Sequence, residues 1–335
     1  MSRKKQYMAR IIKEQNVTAV TRCMRKLPYG TKTILARKTG LSTTTCGTIL
    51  EEMAARNEAR FDGLEESSGG RPAKKYVYNN QFFHILCVFP VIENGEAVIN
   101  YAVANAVYHV VEQGKREGLT VDEKSINSTI AELMRRYGNI RAVSIGIPGT
   151  VHDSKILGCA IPTLNVCELK ERIEEKFGIK AVVENDMQSA AIGYFSQNRL
   201  DASQPVTLLK FSRNSHPGSG SVCNGSIIQG FSGFAGDMVQ MEVAEGTPFE
   251  KQLEALQDEE SFIRTAAMRI IALVSVINPI VIVLTGERFN RENIAEIKAL
   301  CSEYILAQHL PQFVYKSDLT ADYTAGLLYF AEKIL

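Results

Sequence analysis

KAVVENDMQSAAIGYF, residues 180–195, reads as a strand, a polar corner and a helix. A β-prone run leads into Glu184-Asn185-Asp186, and small and apolar residues then continue at helical spacing. A strand that feeds a helix in this way is the unit of an α/β fold. On the N-terminal side, LKERIEEKFG (169–178) is helical with charges at i,i+4, and RAVSIGIPG (141–149) is a strand that runs into a Pro-Gly turn. The stretch near 105–136 reads as helical. Before it, FFHILCVFPVIENGEAVINYAV (82–103) holds two strands joined at Asn94-Gly95, a strong hairpin signal. On the C-terminal side, VTLLKF (206–211) begins a second set of strands with VINPIVIVLTG (276–286) as its buried counterpart. Two α/β halves facing a cleft are expected: residues 81–185 with 311–335 as the first lobe and 186–310 as the second.

Charge separates a further segment. Residues 1–80 hold 16 Lys and Arg against 7 Asp and Glu, a net +9, while the other 255 residues hold 22 against 30, a net −8. A basic module joined to an acidic one implies a polyanion partner for the first alone, and double-stranded DNA fits. Within residues 1–80, the amphipathic stretch 17–27 precedes TKTILARKTGLSTTTCGTILEEMAARNEA (31–59), two helices around a sharp turn. There Gly40 ends one helix and Ser42 caps the next. This is a helix-turn-helix. Lys32, Arg37, Lys38, Ser42, Thr43, Thr44 and Thr45 lie where phosphates and base edges of the major groove would be met. In ARFDGLEESSGGRPAKKYVYNN (59–80) two short β-prone runs flank a Gly-rich turn, a wing that would lay Arg71 along a minor groove and Lys74 and Lys75 on phosphates. The competing account is an ordinary three-helix protein-interaction module with a solvated basic face.

The seven cysteines include no C-x-x-C pair, so neither a disulfide framework nor a zinc knuckle is expected. No run approaches the roughly 20 apolar residues of a membrane span, and MSRKKQYMARIIKEQ lacks the apolar stretch of a signal peptide. A cytoplasmic protein without membrane association is expected.

The winged module with its GRP wing, SIGIPGTVHD (144–153), VENDMQSAA (183–191), GSGSVCNGSIIQGFSGFAGDM (218–238) and INPIVIVLTG together resemble the ROK family of repressors, open reading frames and sugar kinases. The resemblance implies a two-lobed actin-like fold behind an N-terminal winged helix-turn-helix, the latter as in the repressor branch. It implies Asp186 at the family's catalytic aspartate and Asn185 at a sugar-binding position. For Asp186 an N-cap of the following helix is an equally good account. Asp237 stands where the family has a sugar-contacting Glu, and Gln240 where it has a His. Pro148 and Gly149 lie on a cleft turn, and Thr163 and Asn165 in AIPTLNV (160–166) lie near a sugar-contacting Asn.

The nucleotide loops of the family depart from its pattern. Where kinases carry Asp-x-Gly-Gly-Thr this chain has CVFPVIENG (87–95), whose bulky side chains and N–H-less Pro90 cannot cradle phosphate. GSGS (218–221) keeps two glycines, and Glu287 after Gly286 would put an anion near ATP if it faced the cleft. The family's zinc pattern is also broken: Gly236 and Asp237 are followed by no His, and no cysteine lies between Cys223 and Cys301. No metal and no cofactor are expected. The expectation is a sequence-specific transcriptional regulator, a repressor, acting as a homodimer or dimer of dimers on DNA and responding to a sugar or sugar derivative without enzymatic activity. Its rivals are an active ATP-dependent sugar kinase with an accessory DNA module and an effectorless DNA-binding protein.

Overall fold

The computed structural model describes residues 3–65, 72–93, 95–165, 168–213, 217–238 and 256–335. Met1–His84 with Ala104–Val111 form one compact unit, and Ile85–Val103 with Glu112–Leu335 form a second.

In the first unit, α1 (Arg3–Arg25) is far longer than the amphipathic stretch read from the sequence, and it buries Val20 and Met24, one turn apart. Thr31 caps α2 (Lys32–Thr39) by accepting the Ile34 N–H at 3.2 Å, and Gly40 ends it at φ 74°. That left-handed turn is inexpensive only for glycine. Ser42 Oγ accepts the Thr45 N–H at 3.0 Å and starts α3 (Thr43–Ala55), whose Cys46, Ile49, Leu50 and Met53 are buried at helical spacing. Then β1 (Ala59–Glu65) and β2 (Ala73–Tyr78) pair antiparallel as the wing, with Gly30 bridged to Tyr76.

The turn 104–111 completes this unit. Asn105 Oδ1 accepts the N–H groups of Val107 and His109, which holds Tyr108 at φ 64°. Arg25, the last residue of α1, lies 5.2–5.4 Å from the ring centroids of Tyr78, Phe83 and Tyr108 and donates to the Tyr108 hydroxyl.

The second unit holds two sheets. The first comprises β3 (His84–Glu93), β4 (Glu96–Asn105), β5 (Val110–Arg116), β6 (Ile140–Ile147) and β9 (Lys180–Asn185), in the order β5-β4-β3-β6-β9. Between β6 and β9, β7 (Gly149–His152) and β8 (Lys155–Cys159) form a hairpin. On this sheet α4 (Glu123–Tyr137) and α5 (Leu169–Phe177) bury Ile126, Ile130, Leu133 and Ile173 against Ile145 and Val183. Each such side chain contributes about 1.5–3 kcal/mol.

The second sheet runs β12-β11-β10-β13-β14 from β10 (Val206–Lys210), β11 (Gly218–Cys223), β12 (Ser226–Ile227), β13 (Val281–Thr285) and β14 (Gln312–Tyr315). Its outer helices, α7 (Glu259–Ile277) and α8 (Arg291–Tyr304), cover a core in which Phe211, Phe262 and Phe289 meet edge to face.

Two further helices join the sheets. α6 (Asp186–Gln197) packs on β10 and β11, α9 (Thr320–Ile334) packs on β6 and β9, and the two helices pack on each other. They touch backbone to backbone. A Cβ on Gly193 would fall 1.7 Å from Asp322 O, and one on Gly326 would fall 1.8 Å from Ser189 O.

Two expectations need correction. The stretch 105–136 is not helical throughout: Val110–Arg116 is the edge strand β5, and α4 begins only after Asp122, whose carboxylate accepts the Ser125 N–H in a capping box. Gly114 fits that strand because a Cβ there would lie 2.4 Å from Tyr101 Oη. The first lobe also does not resume at 311, because β14 pairs with β13 in the second sheet and only α9 returns. The chain therefore crosses back after Tyr315.

Candidate functional site

Parallel pairing of β6 with β9 sets Ile147 opposite Asn185, so the Pro148-Gly149 turn and the Asn185-Asp186 corner arrive side by side. Asn185, not Asp186, caps α6: its Oδ1 accepts the Gln188 N–H at 2.8 Å, and its Nδ2 donates to Gly149 O at 2.7 Å. The cap account of Asp186 is thereby removed. Asp186 is the first residue of α6, and its Oδ1 accepts the Met187 N–H at 2.8 Å. Burial holds its carboxyl above the usual range, against the opposing pull of Lys210 and of backbone N–H groups.

Gly149 must be glycine, because a Cβ there would stand 2.0 Å from Gly158 O across the β7–β8 hairpin. From the second sheet, Gly236 (φ 94°) approaches Ser219 so closely that both the N–H and the hydroxyl of Ser219 donate to its carbonyl, at 2.9 and 3.0 Å. This anchors Asp237, which bridges to Gly218; Thr150 Oγ1 lies 3.5 Å from its Oδ2.

These elements enclose a cavity of about 850 Å³, within the range of small-molecule sites. Pro148, Gly149, Asn165, Asn185, Asp186 and Asp237 all line it. Thr163 does not: its hydroxyl donates to Val121 O outside the cavity. Gln240 lies outside the described residues. Asn165 Oδ1 is engaged by the Cys159 N–H at 3.0 Å, so its amide nitrogen is the group left to meet a ligand. The sequence reading missed Thr150, Cys159, Lys210, Ser212 and Arg213, which also line the cavity. Burial and the Ile161 N–H act oppositely on Cys159, and burial wins, raising its thiol to about 11.

Glu287 faces the same cavity, and β3 runs unbroken through Phe89, Pro90 and Val91. Neither feature suits a nucleotide triphosphate. Among the described residues no group of three or more His, Cys, Asp or Glu side chains converges as a metal site. The family's zinc therefore finds no fitting donor set among them.

On the first unit, Lys32, Arg37, Lys38, Ser42, Thr43 and Thr44 are exposed, and Thr45 is half-buried. Ser42 and Thr45 share a hydroxyl contact of 2.8 Å, leaving Thr43 and Thr44 as the outward hydroxyls of the turn. Gly47 lies beside Lys32, and Thr48 is exposed one turn on from Thr44, a continuation of the same face that the sequence reading did not include. Lys74 is exposed, whereas Lys75 lies 5.5 Å from the Tyr29 ring centroid; successive strand residues face opposite ways, so the two do not share a face. Arg71 lies outside the described residues.

A two-lobed α/β fold with a cavity between its sheets, accompanied by a winged helix-turn-helix, defines the class. Residues 91–252 match the model of the ROK family. It is 22% identical over 216 residues to the xylose repressor of Bacillus subtilis, covering 62% of this chain and 55% of that one. It is 29% identical over 166 residues, 47% of this chain and 55% of the other, to an uncharacterized protein of Clostridium perfringens. The chain thus spans about half the length of the curated relatives it matches. Among solved structures, a ROK family transcriptional regulator described as a homolog of the E. coli MLC protein has a TM-score of 0.72 at 16% identity, with 96% of each chain covered. The ROK hexokinase of Thermus thermophilus has a TM-score of 0.59 at 16% identity over 75% of this chain and 99% of its own. These likenesses are of fold. No helix among the described residues is long and apolar enough to cross a membrane.

Proposed function

We propose that this chain is a DNA-binding transcriptional regulator, a repressor, whose affinity for its operator is set by a sugar or sugar derivative bound in the cavity of the second unit. The observation that carries the reading is the conjunction, in one chain, of a winged helix-turn-helix with exposed Lys32, Arg37 and Lys38 and a cavity lined by Asn165, Asn185, Asp186 and Asp237. Asp186 serves as a hydrogen-bond acceptor for a hydroxyl, not as the base of a kinase, because the nucleotide side of the cavity carries Glu287 and the uninterrupted strand at Pro90. The similarity to a xylose repressor and to a regulator of the same fold supports this reading. The protein acts in the cytoplasm as a homodimer on a two-fold site, and the ligand changes DNA affinity by binding one arrangement of the two sheets better than another.

Genome-wide mapping of bound sites, followed by gel-shift titration with a sugar panel, tests the reading. A footprint that sugar releases supports it. A kinase reading is favoured by the persistence of Asp186 in the cavity and by the shared fold with a hexokinase. Phosphorylation of a hexose by ATP that vanishes in Asp186→Asn would establish that reading and overturn the present one.

A further inference from the structure

Gly146 stands inside β6, opposite Glu184 of β9, where neither a turn nor a positive φ calls for glycine. A glycine weakens a strand interior, and its place there marks the close approach of another group. That group is Tyr323 of α9: a Cβ on Gly146 would fall 2.1 Å from the Tyr323 hydroxyl and 2.5 Å from its ring. Phe89 of β3 packs on the same ring, with centroids 4.9 Å apart. The hydroxyl admitted in this way has no hydrogen-bond partner among the described residues, although Tyr323 is only 7% exposed. Buried tyrosine hydroxyls ordinarily find a partner, and phenylalanine would fill the space without stripping an O–H of water.

The surroundings of this hydroxyl say what it serves. Among the groups whose charge acts on it, Asp186 comes first and Cys159 next, and both line the cavity; Cys87 of β3 follows. Burial, and after it those charges, raises the phenol well above its ordinary value, so it stays an O–H donor. Tyr323 itself is not on the cavity wall. Asp186, for its part, accepts the Met187 N–H through Oδ1, and no side chain among the described residues donates to it. A carboxylate has about four acceptor sites, so most of its capacity is unspent. An unmet donor and an under-met acceptor thus share one neighbourhood at the base of the cavity.

We propose that Tyr323 is a positioning residue of the sugar site: as a sugar hydroxyl donates to Asp186 from the cavity, the Tyr323 hydroxyl donates to the same carboxylate from beneath and fixes its orientation. The inference rests on the sugar-site reading above and adds to it the group that orients Asp186. With both donors in place the carboxylate is held ionised and acts only as an acceptor.

The test is calorimetric titration of the full chain, of Tyr323→Phe and of Ser144→Ala with aldopentoses, aldohexoses and their phosphate monoesters. Ser144 lies two residues before Gly146 on the same face of β6 and carries another buried hydroxyl without a partner among the described residues, so it serves as the control. Tyr323→Phe should bind whichever sugar the parent takes about tenfold or more weakly, as expected for a lost hydrogen bond to a charged group. Its ligand-free melt should be no lower than that of the parent, and Ser144→Ala should bind as the parent does. The chain has no tryptophan, so tyrosine dominates its near-UV absorbance. Sugar binding should shift that absorbance to the red, and the shift should be missing from Tyr323→Phe. Equal affinity of parent and Tyr323→Phe, an equal loss in Ser144→Ala, a tyrosine shift that survives the substitution, or a lower ligand-free melt overturns the inference and leaves the sugar-site reading standing. If the parent binds none of these sugars, that reading falls and takes the inference with it.

Discussion

Asn185 caps the helix that Asp186 begins, and the two neighbours thereby divide two duties that either side chain could have performed. The Asn185 amide is consumed at both ends, by the Gln188 N–H and the Gly149 carbonyl, and the Asp186 carboxylate is left on the cavity wall.

The division predicts opposite phenotypes. Asn185→Ala should cost about 1 kcal/mol of stability, the usual value of a lost cap, read from urea unfolding. Asp186→Asn removes a buried charge and should leave stability unchanged or slightly raised, while abolishing the sugar response and sparing operator binding. A destabilised Asp186→Asn would return the capping duty to that residue.

Glu184 supplies a pH test. Burial raises its carboxyl to about 7 despite the nearby Lys333, so the folded state favours the protonated form. Its favourable contribution is complete below the ordinary carboxylate range and is lost as pH rises through about 7. Glu184→Gln should therefore be more stable than the parent at alkaline pH, on the order of 2 kcal/mol, with the gap closing on acidification. Thermal melts across that range measure it, and a pH-independent gap would refute the assignment.

At the crossing of α6 and α9, Gly193→Ala and Gly326→Ala each place a methyl on backbone that cannot move without separating the helices. Each should destabilise by about 3 kcal/mol or more, since overpacking here displaces main chain and not a side-chain tip. Neither change should weaken DNA binding by any protein that remains folded.

On the winged unit, Lys32→Ala should lower DNA affinity across all sequences and flatten the slope of log affinity against log salt by about one. Lys75→Ala should do less, because its ammonium already lies over Tyr29 and faces away from Lys74. Equal effects would place both lysines on phosphate.

The winged module was legible because Gly40 and Ser42 are local signals, and local signals act within the few residues that carry them. The strand, corner and helix at 180–197 were legible for the same reason. β5 was not: exposed at a sheet edge, VVEQGKR has no continuous apolar face to distinguish it from a solvated helix. At the corner, Asn and Asp cap equally well, so only the β6–β9 register, which brings Gly149 O to Asn185, decides between them. Lys210 was overlooked because a lysine after four buried strand residues reads as the strand's solvent end. The cavity beside it is made by residues distant in sequence.

Helices that interlock through side chains resist sliding, since each knob must climb out of its groove before it can settle in the next. At Gly193 and Gly326 no side chain stands between the two backbones. The two helices that join the sheets meet there main chain to main chain, so any change of tilt between the sheets has to be accommodated at that crossing.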